Sequence, residues 1–197
     1  MRILICGCDG QLGQAIKNNS PDNIDIIFKN KKNLNIINEY EVEKNIKKYN
    51  PGLVINTAAY TRVDLAEKEY EKSYQVNSIG PMNLAKSLSK IDSTLVHIST
   101  DYVFDGNNNL PYTENDSPNP ISNYGKTKFE GEKNIISNIH NYIIIRVSWL
   151  YSSYKNNFVK KIILKNNYKE NLEVISDQYS LPTSADELAI LIFSIIE

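Results

Sequence analysis

The feature that most constrains this chain is an alternation. Short, β-rich apolar runs at Ile3 to Cys6, Ile24 to Phe28, Leu53 to Ile55, Thr94 to Ile98 and Tyr142 to Val147 are separated by segments of helical period, such as Glu39 to Lys48, Tyr74 to Lys90 and Tyr124 to Ile136. Runs apolar at nearly every position suit strands covered on both faces. Strands separated by helices imply right-handed crossovers, and so an α/β fold built on a doubly wound parallel sheet with helices on both faces. Breakers fall where this scheme needs them: Asn50-Pro51-Gly52 divides a helix from a strand, and the loop from Pro111 to Pro120 precedes a helix.

Beyond Val147 the rhythm changes. Phe158 to Leu164 reads as helix, Leu172 to Ile175 as a short extended run, and Leu188 to Ile196 as a third element. Pro182, then Ser184 and Glu187 at capping-box spacing, mark its start. No Gly, Asn or basic residue closes it, so either this helix docks in a core or the chain is cut short. At 197 residues the chain can build one well-buried domain and part of a second.

Composition narrows the function. With 22 Lys+Arg against 23 Asp+Glu, the formal net charge of -1 gives no basic excess for nucleic acid or an anionic membrane. No apolar stretch approaches the roughly 20 residues of a membrane helix, and no signal peptide is read at Met1 to Ile5, so a cytoplasmic protein is expected. The two cysteines, Cys6 and Cys8, and the two histidines, His97 and His140, offer neither zinc-ligand spacing nor a disulfide framework. No metal is expected, and His97, on a buried strand, reads as a core residue.

Directly after the first strand comes Gly7-Cys8-Asp9-Gly10-Gln11-Leu12-Gly13, then the apolar start of a helix. Three glycines at this spacing suit a phosphate-binding turn: one for the sharp exit from the strand, one for close approach of a pyrophosphate, one for helix packing. The helix N-terminus then presents N–H groups to the anion. The alternative is a tight turn with no ligand. The stretch after the second strand, Phe28-Lys29-Asn30-Lys31-Lys32, lacks the carboxylate that usually holds the adenosine ribose. Its lysines can pair with a 2′-phosphate, which favours NADPH and leaves NADH open.

Tyr124 and Lys128 stand four residues apart, on one face of a helix. A phenol with a pKa of about 10 is a weak acid-base catalyst at neutral pH unless an ammonium favours its ionised form, which Lys128 would supply. Thr100, at the end of a strand, offers a hydroxyl to a substrate oxygen at the carboxyl edge of the sheet, where ligands bind in open α/β folds.

With Asn56-Thr57-Ala58-Ala59-Tyr60-Thr61-Arg62-Val63-Asp64, Val76-Asn77, Ser99-Thr100-Asp101-Tyr102-Val103-Phe104-Asp105-Gly106, Tyr124-Gly125-Lys126-Thr127-Lys128, Arg146-Val147-Ser148-Trp149-Leu150-Tyr151 and Asp177-Gln178-Tyr179 following the glycine loop in order, the whole chain resembles the extended short-chain dehydrogenase/reductases. Within them it is most similar to the dTDP-4-dehydrorhamnose reductases. The resemblance implies a Rossmann-like fold, with residues 1–150 as the NAD(P)-binding domain and 151–197 as the start of a substrate-binding region. Residues 184–196 would form a helix packed back on the first domain. Family members are longer, which implies that most of the sugar-nucleotide lobe is not among these residues.

The resemblance also implies roles. Catalysis falls to Thr100, Tyr124 and Lys128. Cofactor contacts fall to Gly7, Gly10, Gln11, Leu12, Gly13, Asn35, Ile36, Ala58, Ala59, Tyr60 and Thr61, together with Tyr124 and Lys128. Family members usually carry Asp where Asn35 stands, and Asn keeps an acceptor there. Substrate contacts fall to Thr100, Asp101, Tyr124 and Trp149, although Trp149 could instead be core and Asp101 could merely cap a loop. The implied reaction reduces the C4 keto group of a dTDP-4-dehydro-6-deoxy sugar, with a dTDP-sugar as partner and homodimer formation left open. Related dehydratases carry Asp-Glu after the threonine; Asp101-Tyr102 here favours simple reduction over dehydration or epimerisation. A non-catalytic NAD(P)-binding subunit is the competing reading.

Overall fold

The computed structural model describes residues 1–167 and 175–196. In chain order the elements are β1 (Arg2–Cys6), α1 (Gln11–Asn19), β2 (Asp25–Lys29), α2 (Glu39–Tyr49), β3 (Leu53–Asn56), α3 (Val63–Ala66), α4 (Tyr70–Tyr74), α5 (Gly80–Leu88), β4 (Thr94–Thr100), α6 (Asn123–Asn138), β5 (Tyr142–Val147), β6 (Leu150–Tyr151), α7 (Phe158–Asn167), β7 (Thr183–Ser184) and α8 (Ala185–Ile196). The five long strands form one parallel sheet in the order β2-β1-β3-β4-β5. The order reverses between β1 and β3, which opens a crevice at the carboxyl ends of those strands. β6 and β7 make a separate parallel pair.

The sheet is covered on both faces, as its apolar runs require. Ile3, Ile5, Ile55 and Val96 face α1 and α8, where Ala15, Ile16, Leu188, Ala189, Ile192 and Phe193 are buried. Leu4, Cys6, Val54 and Leu95 face the opposite helices through Val42, Leu84, Leu88 and Ile135. Because successive strand residues point to opposite faces, His97 and Ser99 share the face of Leu95 and look toward α6. α8 docks in the core, and the Glu187 N–H donates to Ser184 Oγ at 3.4 Å, the contact that capping-box spacing anticipates. The extended run expected at Leu172 to Ile175 lies outside the described residues except for Ile175.

Local chemistry fixes the helix ends. Asn38 caps α2 by accepting the Glu41 N–H at 3.2 Å, and Asn50 closes it in the left-handed region at φ 42°. The helix expected from Tyr74 to Lys90 in fact runs from Tyr70 to Leu88 and contains a π turn at Gln75–Ile79. The π turn places Asn77 so that its side chain replaces missing backbone pairing elsewhere. Its Oδ1 accepts the Tyr60 N–H at 2.8 Å, and its Nδ2 donates to the Tyr60 carbonyl at 3.1 Å. Among the described residues no helix is long and apolar enough to cross a membrane.

Candidate active site

The glycine turn fills the crevice between β1 and β3. Gly7 sits at φ +82°, and a Cβ there would lie 2.6 Å from the Ala58 nitrogen, so only glycine fits. A Cβ on Gly13 would lie 2.5 Å from Cys8 Cα and 2.6 Å from the Gly7 carbonyl oxygen, which locks the start of α1 against the turn. Gly10 precedes α1, which begins with no side-chain cap and no acidic residue in its first turn. This is a cradle suited to an anion: free helix N–H groups, the positive end of the dipole, and no carboxylate in the first turn of the helix, with Asp9 of the preceding turn exposed to solvent. The residues present therefore fit a dinucleotide pyrophosphate.

Tyr124 and Lys128 are carried by α6, which starts where Ser122 Oγ accepts the Gly125 N–H at 3.0 Å. Tyr124 is 8% exposed and packs edge-on against Tyr102, ring centroids 5.6 Å apart. Thr100 ends β4 directly beside it; its hydroxyl donates to Asp101 Oδ1 at 3.1 Å and accepts the Tyr102 N–H at 3.2 Å. Burial pushes the Tyr124 phenol up to about 12, with the neighbouring Thr100 hydroxyl pulling the other way. The expected lowering by Lys128 is thus not what this geometry shows. The physical reason is the direction of the lysine: its Nζ donates to the Ile98 carbonyl at 2.6 Å and stands 3.3 Å from His97 Nε2. A phenol held in its protonated form is nonetheless the right state for an acid.

Beneath Thr100, Tyr124 and Lys128 lies a buried polar layer. His97, fully buried, meets Asn56 across the β3/β4 pair, with Asn56 Nδ2 3.1 Å from His97 Nδ1. Burial, reinforced by Lys128, holds the imidazole well below its usual pKa, so it is neutral. Burial likewise brings Lys128 down to about 8, opposed by Glu132 one turn along α6. Glu132 accepts from Arg146 Nε at 3.1 Å and Nη2 at 2.7 Å, and from the Ser99 hydroxyl. This layer ties α6 to β4 and β5. The sequence places His97 in the core, as the structure does, but its contact with Lys128 depends on the packing of α6 on β4 and has no local signal.

The remaining expected site residues divide by location. Ala58, Ala59, Tyr60 and Thr61 form the loop after β3, facing Gly7 across the crevice, with Thr61 exposed. Gln11 opens α1, and its Oε1 accepts from Ser152 Oγ at 2.9 Å and Asn157 Nδ2 at 3.0 Å, which joins the glycine turn to the segment after β6. Leu12 and Ile36 have their side chains in the core, at 4% exposure each, so they can offer a ligand only backbone groups. The Ile36 carbonyl already accepts from Asn83 Nδ2 at 3.0 Å, and the Asn35 N–H donates to Glu41 Oε2 at 2.9 Å. Asp101 Oδ2 accepts the Ser180 hydroxyl at 3.4 Å, and burial raises its carboxyl. Trp149 is not a core residue: it is 39% exposed, at φ 42°, beside Phe158. Lys29, the last residue of β2, is taken up by the Tyr49 hydroxyl at 2.8 Å, whereas Lys31 and Lys32 after it are exposed on a turn closed by Asn30 Oδ1. Cys6 is core and Cys8 lies in the turn, both as free thiols.

Comparison with known proteins agrees with this arrangement. A sequence profile of the RmlD substrate binding domain matches residues 1–197. A dTDP-4-dehydrorhamnose reductase of Sinorhizobium fredii is 37% identical over 195 residues, 99% of this chain and 66% of the relative. The crystal structure of a dTDP-4-dehydrorhamnose reductase from Clostridium acetobutylicum has a TM-score of 0.95 at 43% identity, covering 100% of this chain and 70% of that one. The Bacillus anthracis dTDP-4-dehydrorhamnose reductase, solved in complex with NADP, has a TM-score of 0.96 at 39% identity, covering 99% and 70%. The chain spans about two thirds of the length of the relatives it matches. By a family profile matched from end to end and by relatives similar in sequence and fold, the chain belongs to the RmlD substrate binding domain family, that of the dTDP-4-dehydrorhamnose reductases.

Proposed function

We propose that this chain carries the hydride-transfer machinery of a reductase that uses NADPH to reduce the C4 keto group of a dTDP-4-dehydro-6-deoxy sugar, dTDP-4-dehydro-L-rhamnose. The observation that carries this reading is the convergence of Thr100, Tyr124 and Lys128 at the carboxyl end of β4, beside a glycine turn shaped for a pyrophosphate. Residues 1–150 hold the cofactor: Gly7, Gly10 and Gly13 admit its pyrophosphate, and the loop from Ala58 to Thr61 lines the other wall. Lys31 and Lys32 are the cations available to a 2′-phosphate, which supports NADPH over NADH. Residues 151–197 contribute the start of the sugar side, with Trp149 and Asp101 at the junction.

The nicotinamide, when bound, supplies the hydride. Tyr124, protonated and shielded from water, gives its hydroxyl proton to the oxygen that becomes the C4 alkoxide. Thr100 donates a hydrogen bond to the same oxygen, exchanging its present partner Asp101 for it. Lys128, one turn from Tyr124 on α6, reaches the phenolate left behind once its Nζ turns from the Ile98 carbonyl, and there stabilises it. Asp101-Tyr102 provides no second carboxylate for abstracting a proton from the sugar, so the chemistry stops at reduction.

The test is to confirm NADPH binding by calorimetry, then add dTDP-4-dehydro-L-rhamnose and follow the near-ultraviolet absorbance of the reduced nicotinamide. Loss of absorbance with formation of dTDP-L-rhamnose is expected, and is abolished in Tyr124→Phe. Cofactor bound without any oxidation would overturn the reading.

A further inference from the structure

His97 lies under the catalytic lysine, and the hydrogen bonds around it fix which ring nitrogen carries its proton. The Ala58 N–H donates to Asn56 Oδ1 at 3.1 Å, which settles the orientation of that amide. Asn56 Nδ2 therefore turns its N–H toward His97 Nδ1, 3.1 Å away. Nδ1 must be the acceptor, and a neutral imidazole then has its proton on Nε2. The other tautomer would set the Nδ1–H against the Asn56 NH2; flipping the amide to relieve this would set the NH2 against the Ala58 N–H. The parallel register that pairs Asn56 with His97 holds the arrangement in place.

The consequence falls on Lys128, whose Nζ is 3.3 Å from Nε2 and donates to the Ile98 carbonyl. An ammonium there has three N–H donors and no lone pair, so the Nε2–H opposes it. A neutral amine keeps its donor to Ile98 and offers its lone pair to the Nε2–H. We propose that His97, locked by Asn56 with its proton on Nε2, is a positioning residue that favours the neutral amine of Lys128 and so lets this lysine release a proton during turnover. When Lys128 gives a proton to the Tyr124 phenolate, an N–H bond breaks, the phenol O–H forms again, and the amine left behind is received by the Nε2–H of His97. Water then returns the proton to the amine.

The other groups around Lys128 do not replace this contact. From α6, Tyr124 is a neutral phenol and Glu132 favours the ammonium. Glu132 is itself engaged by Arg146 of β5 and Ser99 of β4. Asp101, beyond Thr100, lies on the Tyr124 side. From β3, Asn56 acts only through His97. The lowered Lys128 pKa, about 8, agrees with the geometry.

The kinetic arm of the test rests on the reductase reading; the spectroscopic arm does not. His97 and His140 are the only histidines, so imidazole 15N resonances of the full chain contain two sets, and exposed His140→Gln identifies the one that remains. His97 is expected neutral, with Nε2 protonated and Nδ1 not, and without titration from pH 6 to 9, values chosen to bracket its ordinary pKa of about 6.5. A proton on Nδ1, or an imidazolium in that range, overturns the proposal. In Asn56→Asp a carboxylate faces Nδ1 and the proton should move there; an unchanged tautomer overturns the lock. In His97→Gln the amide can turn its oxygen to the ammonium, and the alkaline limb of the pH profile of turnover should rise by roughly one unit. A fold-competent His97→Gln with an unmoved profile refutes the role. If the unmodified protein binds NADPH but does not turn over, the reductase reading fails, and the spectroscopic arm alone decides the tautomer.

Discussion

Replacing Glu132 tests whether the polar layer under the site holds α6 in place. The Glu132 side chain is 1% exposed and that of Arg146 is 25%. Glu132→Ala removes two charged hydrogen bonds from Arg146 and the acceptor of the Ser99 hydroxyl. Breaking a fully buried pair by deleting one partner costs about 3–5 kcal/mol. Arg146 keeps a path to water and stacks over Phe104, 5.0 Å from the ring centroid, so its share falls toward about 2–3 kcal/mol. The orphaned Ser99 hydroxyl adds about 1 kcal/mol. The sum, roughly 3–4 kcal/mol, corresponds to a fall in Tm of roughly 6–16 °C for a domain of this size. Glu132→Gln keeps the shape and one good acceptor, and should lose about half as much. Thermal and urea unfolding read the ranking. The alanine variant also removes the charge that favours the Lys128 ammonium, so the alkaline limb of turnover should move to lower pH. A Tm within about 2 °C of the parent would refute the assignment of this layer as a structural tie.

Three further outcomes follow from the same geometry. Gly13→Ala puts a Cβ about 1 Å too close to two backbone atoms; it should cost roughly 1–3 kcal/mol in stability and weaken NADPH binding tenfold or more, read by calorimetry. Asn77→Leu leaves the N–H and carbonyl of Tyr60 without their partner and should cost about 2–4 kcal/mol in urea unfolding, with the KM for cofactor rising more than kcat falls. Cys6, fully buried, has its thiol pushed up from 9.0 to about 12, so the unfolded chain ionises first. Its contribution to stability is complete below pH 9 and is lost as pH rises toward 12, by up to about 4 kcal/mol. Cys6→Ala should flatten that alkaline loss, and an unchanged pH dependence of unfolding would exclude Cys6 as its source.

What the sequence made legible was whatever local pattern dictates. The strands of the sheet were readable to within two residues at each end because a strand covered on both faces must be apolar throughout, and Ile3, Leu4 and Ile5 are indeed wholly buried. The glycine turn was readable because backbone crowding at Gly7 and Gly13 admits no other residue. The π turn at Asn77 was not, since its cause is a pair of hydrogen bonds to a residue 17 positions away. The partners of Lys128 were hidden for the same reason: His97 and the Ile98 carbonyl lie 31 and 30 residues away and meet the lysine only once α6 packs on β4. Helical spacing also misled on one point of chemistry. Four residues between Tyr124 and Lys128 suggested an ammonium lowering the phenol, yet a shared helix face fixes only where side chains start. Once α6 packs on β4, the nearest acceptor for the lysine is the Ile98 carbonyl, and desolvation of Tyr124 then outweighs any charge directed elsewhere. The phenol of this site is set by burial, and the lysine by the strand beneath it.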